Sequence, residues 1–166
     1  MLFRSFAPTR LNIHELGAVI ERARTLGAFR FNTGKLMRIG TAARHWDRVE
    51  PFAAAYREFR AVLERQRAKP GMELCFEPFS MEEGLRQSAA EPPATLLVLP
   101  NGWVKVSAAL PQVCADLRQI KLSGAWENYR RAWRGATMAS AVREAIDDEA
   151  RHAQANTWRL LPVLNT

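Results

Sequence analysis

Residues 95–107 read Thr-Leu-Leu-Val-Leu-Pro-Asn-Gly-Trp-Val-Lys-Val-Ser. Two runs rich in β-forming residues flank Asn101-Gly102, and an Asn-Gly pair between such runs is the strongest short-range signal of a β-hairpin. Because side chains alternate between the two faces of a strand, we expect Trp103 and Lys105 to point the same way. The stretch predicts a hairpin that carries an aromatic and a cationic side chain on one face.

The rest of the chain is predicted to be mostly helical, with one more hairpin. Residues 29–31 and 35–39 flank an Asn-Thr-Gly connection, which predicts that second hairpin. Apolar residues at helical spacing, together with caps and breakers, predict helices over 13–26, 42–46, 51–68, 81–89, 111–120, 125–134 and 138–155. Short strands are predicted at 72–76 and 158–161.

This order of elements is typical of the α+β class. We expect a helix-rich single domain over residues 1–166, with a small antiparallel sheet built from two β-hairpins. Residues 90–94, Ala-Glu-Pro-Pro-Ala, are the candidate flexible linker.

Composition excludes several classes of protein. The 166 residues are 48% hydrophobic and 25% charged, which excludes disorder as the main state. No apolar run approaches the about 18 residues of a membrane helix. Cys75 and Cys114 are too few for a disulfide framework or a four-thiolate metal site, and Arg4 and Pro8 interrupt any secretory signal. We therefore expect a cytoplasmic protein without a membrane partner, and we make no prediction of its oligomeric state.

The charge points to polyanionic partners. The chain has 24 basic and 17 acidic residues, a net charge of +7, and 20 of the basic residues are Arg. The planar guanidinium fork suits phosphate and stacks on bases, so a basic chain is a candidate nucleic-acid binder. Residues 1–69 carry a net charge of +8, residues 70–116 carry −4 and residues 117–166 carry +3. The alternative is compositional, because a GC-rich coding sequence also enriches a chain in Arg and Ala.

The densest constellation is residues 126–134, Trp-Glu-Asn-Tyr-Arg-Arg-Ala-Trp-Arg. On a helix, residues three and four apart share one side, and four of these are expected together: Trp126, Tyr129, Arg130 and Trp133. Arg131 and Arg134 are expected to project elsewhere. One interpretation is a base-stacking platform with phosphate clamps beside it. The other is a buried aromatic face with a solvated arginine rim at the helix C-terminus, where the helix dipole favours cations.

Three further cations are candidate phosphate contacts. Arg57 and Arg60 lie three residues apart on the long predicted helix and would follow a phosphate backbone, although Glu64 is placed to pair with Arg60. Lys105 would contact a groove if the hairpin served as a wing or a β-ribbon. Its alternative role is that of a charge on an edge strand beside a core-covering Trp103.

Catalytic patterns are scarce. Asp148 and His152 are four apart on the last predicted helix and are the best metal-ligand pair, but no third ligand is evident. The chain has no P-loop, no G-x-G-x-x-G and no G-x-S-x-G pattern. We therefore assign no catalytic residue, no metal ligand and no cofactor.

The leading hypothesis is a non-enzymatic nucleic-acid-binding protein with an accessory or regulatory role, which uses Arg–phosphate contacts and aromatic stacking. Its candidate binding residues are Arg130, Arg131, Arg134, Arg57, Arg60, Lys105 and Trp126. One alternative is a protein-interaction module, an inhibitor or adaptor that docks on an acidic protein partner. The other is a small metal-dependent nuclease or hydrolase with a dispersed site that includes Asp148 and His152.

Overall fold

The computed structural model describes residues 2–162. The helices are α1 Leu16–Thr25, α2 Gly40–Arg44, α3 Trp46–Val49, α4 Ala53–Arg67, α5 Met81–Ala90, α6 Leu122–Arg134 and α7 Ala136–Asp147, with 3-10 helices at Ile13–Glu15 and Glu149–Gln154. The strands are β1 Phe3–Ser5, β2 Arg30–Asn32, β3 Glu73–Cys75, β4 Leu97–Val98, β5 Trp103–Lys105, β6 Gln112–Asp116 and β7 Arg159–Leu160. The protein is therefore a helix-rich, mixed α/β protein with two sheets.

The described chain divides into two compact units. The first comprises residues 2–37 and 45–81, and the second comprises residues 38–44 and 82–162. The predicted linker at 90–94 lies inside the second unit and not at the boundary. The single-domain organisation stays a prediction.

The first unit contains a parallel sheet in the order β1-β2-β3. Parallel strands need crossover connections, and α1 and α4 lie in the two crossovers. The core is apolar: Phe31 of β2, Ile20 of α1 and Leu63 of α4 are fully buried. The apolar spacing that predicted the long helix therefore marks the side of α4 that packs on this core.

The second predicted hairpin, over residues 29–39, is wrong. Both edges of β2 pair with other strands, β1 on one side and β3 on the other, so no edge remains for a hairpin partner. The chain after β2 runs against Phe79 instead, where the Lys35 amide donates to the Phe79 carbonyl at 2.6 Å. A Cβ at Gly34 would lie 3.0 Å from the same carbonyl oxygen. This glycine therefore permits a close backbone approach and does not make a hairpin turn.

The second unit contains a mixed sheet in the order β4-β5-β6-β7. The Asn101-Gly102 hairpin is confirmed: β4 and β5 are antiparallel, and Gly102 adopts a φ of 85°, which suits glycine. β6 continues the antiparallel pairing, whereas β7 runs parallel to β6. The antiparallel description thus holds for three of the four strands in this sheet.

The predicted helix over 111–120 is wrong, because residues Gln112–Asp116 form β6. This strand pairs with β5 on one side and β7 on the other, so both neighbours satisfy its backbone. Its five residues are too few for periodicity to separate a buried strand from a buried helix. The predicted closing strand at 158–161 is confirmed as β7.

Three predicted helices and one strand also differ from the structure. The helix predicted over 42–46 is replaced by two short helices, α2 and α3, with His45 between them. Helix α6 begins at Leu122 and not at the predicted residue 125, so Gly124 lies within the helix. The helix predicted over 138–155 ends at Asp147, because Asp148 adopts extended backbone angles and a 3-10 helix follows. The β1 strand was not predicted, and its three residues are all exposed.

Candidate nucleic-acid interface

The aromatic side of α6 faces inward. Tyr129 is 2% exposed and Trp133 is 9% exposed, and their rings meet edge to face. The Tyr129 hydroxyl donates to the Pro93 carbonyl at 2.9 Å, and burial raises the pKa of this phenol. These two rings therefore hold the helix and residues 90–94 in place and do not offer a stacking platform.

Trp126 lies where the buried side of α6 meets its outward side. It is half-buried, and its ring stacks on Tyr129 with centroids 5.5 Å apart and an interplanar angle of 20°. One ring face is therefore occupied. Trp126 lies one helical turn before Arg130, which leaves it the aromatic of this helix nearest the surface.

The outward side of α6 carries Arg130, Arg131 and Arg134, all exposed. Arg130 was expected beside the aromatics, but it lies with the other two arginines. None of the three has an ion pair or a side-chain hydrogen bond within residues 2–162. Arg130 and Arg134 are one turn apart, about 6 Å along the axis. Glu127 is the acidic residue on this side, exposed and likewise without an ion pair to any described residue.

The cations of α4 have a different environment. Arg57 is exposed and has no ion pair among the described residues, whereas the Arg60 guanidinium lies 5.2 Å from the centre of the Phe79 ring. Cations further along the chain are in ion pairs: Arg65 with Glu58 at 3.4 Å, Arg67 with Glu77 at 3.2 Å and Lys69 with Glu21 at 2.6 Å. Arg65 and Arg67, in the last turn of α4, are therefore compensated by neighbouring carboxylates.

Lys105 does not fit a role in binding a ligand at the surface. It is 2% exposed, and its Nζ donates to the carbonyl of Ala155 at 2.7 Å and to that of Ala108 at 3.4 Å. Burial lowers its pKa. An irregularity in the β5–β6 pairing between Val104 and Lys105 breaks the strict alternation of faces that the prediction assumed. Its hydrogen bond to Ala155 joins β5 to the end of the 3-10 helix Glu149–Gln154. We therefore exclude Lys105 from the candidate nucleic-acid interface.

Asp148 and His152 each have another neighbour among the described residues. The Asp148 carboxylate accepts from the Ala150 amide at 2.9 Å and caps the 3-10 helix. His152 is 1% exposed, and its Nδ1 lies 3.9 Å from Oε1 of Glu82. Across residues 2–162, no three His, Cys, Asp or Glu side chains are placed to hold a metal ion.

The two thiols are poorly placed to act as nucleophiles. Burial raises the pKa of Cys114 to about 11, and burial also raises the pKa of Cys75. Burial therefore disfavours the thiolate of both residues, and the thiolate is the form in which a cysteine acts as a nucleophile.

Sequence analysis missed the buried polar side chains of the second unit. Gln112 is 8% exposed and His152 is 1% exposed. Gln112 escaped notice because its segment was predicted as a helix. His152 had a signal, its spacing from Asp148, but that signal suggested the wrong partner.

Comparisons of the chain with protein-family models, with curated proteins and with solved structures found no significant match. Among the described residues, no helix combines the length and the apolar character that crossing a membrane requires.

Proposed function

We propose that the protein binds nucleic acid through the outward side of α6, as a non-enzymatic accessory or regulatory factor. Arg130, Arg131 and Arg134 contact the phosphates. The observation that carries this proposal is that three exposed guanidinium groups share one helix end, and no described carboxylate pairs with them. A guanidinium offers two parallel N–H donors to a phosphate, which makes this contact stronger and more directional than one from an ammonium group.

The lack of ion pairs matters because these arginines do not have to break an ion pair when they contact a phosphate. Binding then releases only the mobile counterions. An arginine already held by Glu or Asp must give up that partner before it neutralises a phosphate. An unpaired arginine exchanges only water and mobile ions. Each neutralised phosphate of duplex DNA contributes about 0.9 to the slope of log K against log salt, and each phosphate of a single strand about 0.7. Three contacts on α6 therefore give a slope of about 2.7 on a duplex.

Trp126 favours a single-stranded ligand. Its half-buried ring lies one turn before Arg130, so a base stacked on its outer face would leave the next phosphate near that guanidinium. Stacking on an aromatic side chain contributes about 1–3 kcal/mol per base. We therefore expect single-stranded DNA or RNA to bind more tightly than duplex DNA of the same length.

Arg57 and Arg60 are secondary contacts in this proposal. Arg57 is exposed without an ion pair among the described residues, and Arg60 keeps its exposed position while its guanidinium lies over Phe79. Each would add a smaller electrostatic contribution than the three arginines of α6.

The test is a salt series with labelled random duplex DNA, single-stranded DNA and RNA. In the variant Arg131→Ala/Arg134→Ala, the duplex slope should fall by about 1.8 and the affinity at low salt by at least about 10-fold. The matched control is Arg65→Ala/Arg118→Ala, which removes two exposed arginines that are in ion pairs. The control should change the affinity by less than about 3-fold.

Three outcomes would contradict the proposal in different ways. Equal losses in both variants would show that net charge, and not the α6 surface, governs binding. An unchanged slope in the Arg131→Ala/Arg134→Ala protein would remove α6 from the interface. No binding of any nucleic acid at low salt would leave the acidic protein partner as the next hypothesis.

A further inference from the structure

Trp158, at the start of β7, is the most exposed tryptophan of the protein. All five tryptophans lie within residues 2–162, and 41% of the Trp158 surface is accessible to solvent. Trp46 and Trp133 are buried, and Trp103 and Trp126 are half-buried. Of the five indole rings, that of Trp158 therefore offers the largest surface to a ligand.

The backbone of Trp158 is strained. Its φ is 28°, and no other non-glycine residue within 2–162 has a positive φ. Such an angle is an outlier for a bulky side chain, and residues strained in this way cluster at ligand-binding sites. Hydrogen bonds on both sides hold the conformation. The Gln154 carbonyl accepts from the amide and the hydroxyl of Thr157 at 2.9 and 2.8 Å, and the Arg159 amide donates to the Pro111 carbonyl at 2.8 Å.

The Trp158 ring packs against Trp103 of β5. The ring centroids are 5.7 Å apart and the ring planes lie at 80° to each other. An edge-to-face pair covers one ring face of the four, whereas the stacked pair of Trp126 and Tyr129 covers one face of each ring. Trp103 lies on an inner strand that pairs with β4 and β6. The contact therefore supports the Trp158 ring on the sheet and leaves most of the aromatic surface of the pair uncovered by it.

The residue after Trp158 supplies an uncompensated positive charge. Arg159 is exposed, its Nη2 donates to Oε1 of Gln154 at 2.9 Å, and no described carboxylate lies within ion-pair distance of it. An exposed aromatic ring and an available guanidinium on consecutive residues match a base and its phosphate. A methylammonium cation, which also binds aromatic rings, is disfavoured by this charge and by the net charge of +3 on residues 117–166.

We propose that Trp158 stacks a base of single-stranded nucleic acid and that Arg159 contacts the adjacent phosphate. This second contact rests on the proposed nucleic-acid function but uses none of the arginines of α6. The bases of a duplex are already stacked on each other, so the contact is specific for single strands. One stacked base and one phosphate contact hold a free nucleotide only weakly, whereas they add to the affinity of a strand that is also bound elsewhere on the protein.

The test measures the binding of labelled oligo(dT) across a salt series by fluorescence anisotropy. Trp158→Ala should weaken binding by at least about 5-fold and leave the salt slope unchanged, because it removes stacking and no charge. Arg159→Ala should lower the slope of log K against log salt by about 0.7. For duplex DNA, Trp158→Ala should change the affinity by less than about 2-fold.

Two further variants separate base stacking from other roles of Trp158. Leu160→Ala removes an exposed apolar side chain of the same strand that has no aromatic face, and it should leave oligo(dT) binding unchanged. Trp158→Gly relieves the backbone strain, because glycine adopts a positive φ at little cost. It should unfold at a temperature at least as high as Trp158→Ala and bind oligo(dT) equally weakly. If Trp158→Ala does not fold, the affinity of Trp158→Gly decides.

Four results would overturn the proposal. Unchanged oligo(dT) affinity in Trp158→Ala, with a loss in Arg131→Ala/Arg134→Ala, would remove this contact and leave the proposed function in place. No binding of nucleic acid by the wild-type protein would overturn both. Equal losses on single-stranded and duplex DNA would show that Trp158 supports the fold and does not stack a base. Binding of thymidine monophosphate as tight as that of oligo(dT) would identify a free nucleotide, and not a strand, as the ligand.

Discussion

Helices α4 and α6 share an amphipathic residue pattern, but their outward surfaces differ in ion pairing. Each buries aromatic side chains on one side and carries arginines on the other. On α4, Arg65 and Arg67 pair with carboxylates. On α6, the three outward arginines have no ion pair with any described residue. The difference teaches that arginine content does not identify a binding surface, because the placement of acidic residues decides which arginines remain available.

The carboxylates that pair with cations in the last turn of α4 and just after it come from both near and far in the chain. Glu58 and Glu64 lie on the helix itself, whereas Glu77 and Glu21 come from other segments of the first unit. Pairs of this exposed kind contribute only about 0–1 kcal/mol each to stability. Their larger effect is to cancel the local field that would attract a polyanion.

The largest expected effect concerns the buried side of α6. Tyr129→Ala should lower the free energy of unfolding by about 3–5 kcal/mol, because it leaves a cavity in the core. Tyr129→Phe should cost only about 1 kcal/mol, since it removes just the hydrogen bond to Pro93. Urea unfolding measures both. A Tyr129→Ala protein of normal stability that no longer binds nucleic acid would restore the stacking-platform interpretation.

The next prediction compares the arginines of α6, which have no ion pair with a described residue, with exposed arginines that are in ion pairs. Reversing the charge at Arg130, Arg131 and Arg134 to Glu should weaken single-stranded DNA binding by about 100-fold at low salt. Reversing three exposed, ion-paired arginines, Arg65, Arg118 and Arg151, should weaken it by no more than about 5-fold. Fluorescence anisotropy at one salt concentration measures both. Similar losses would mean that the two classes of arginine do not differ.

Arg118, just before α6, shows how an ion pair changes the pKa of the partner carboxyl. Arg118 donates to Asp116 at 2.9 and 2.6 Å and holds the pKa of that carboxyl at about 2, below its ordinary 3.8. The stabilisation is present above about pH 4 and is lost as the pH falls through 2. Arg118→Ala should raise the pKa of Asp116 toward 3.8, as followed by NMR titration. An unmoved pKa would show that other groups hold the carboxylate ionised.

The smallest effect is expected on the outward side of α4. Arg65→Ala should change the free energy of unfolding by less than about 0.5 kcal/mol, because its pair with Glu58 is exposed and 3.4 Å long. Its affinity for nucleic acid should change by less than about 2-fold. A clear loss of binding would show that an ion-paired arginine of α4 also contacts the nucleic acid, and it would weaken the contrast with α6.

Local signals were sufficient wherever the deciding interaction is local. The Asn101-Gly102 pair marks its own turn, because Gly102 adopts a φ of 85°, a conformation that glycine reaches at little cost. The apolar spacing of residues 51–68 likewise predicted α4 within two residues at each end. Helical periodicity alone placed Tyr129 and Trp133 together on one side of α6 and Arg131 and Arg134 away from it.

Where partners come from distant segments, the local pattern failed. Residues 29–39 and 111–120 were assigned the wrong structure, because the strands that pair with β2 and β6 lie far away in the chain. Lys105 was placed on a surface because alternation takes no account of an irregular pairing.

The sequence by itself determined the helix-rich character, the hairpin at 95–107 and the excess of arginine, because composition and short-range spacing specify them. Only the tertiary structure decided that one predicted helix is a strand, that Lys105 is buried and that the arginines of α6 lack the acidic partners found on α4. The physical reason is the same in each case. Pairing and burial depend on which distant groups share a neighbourhood, and the linear pattern does not encode this.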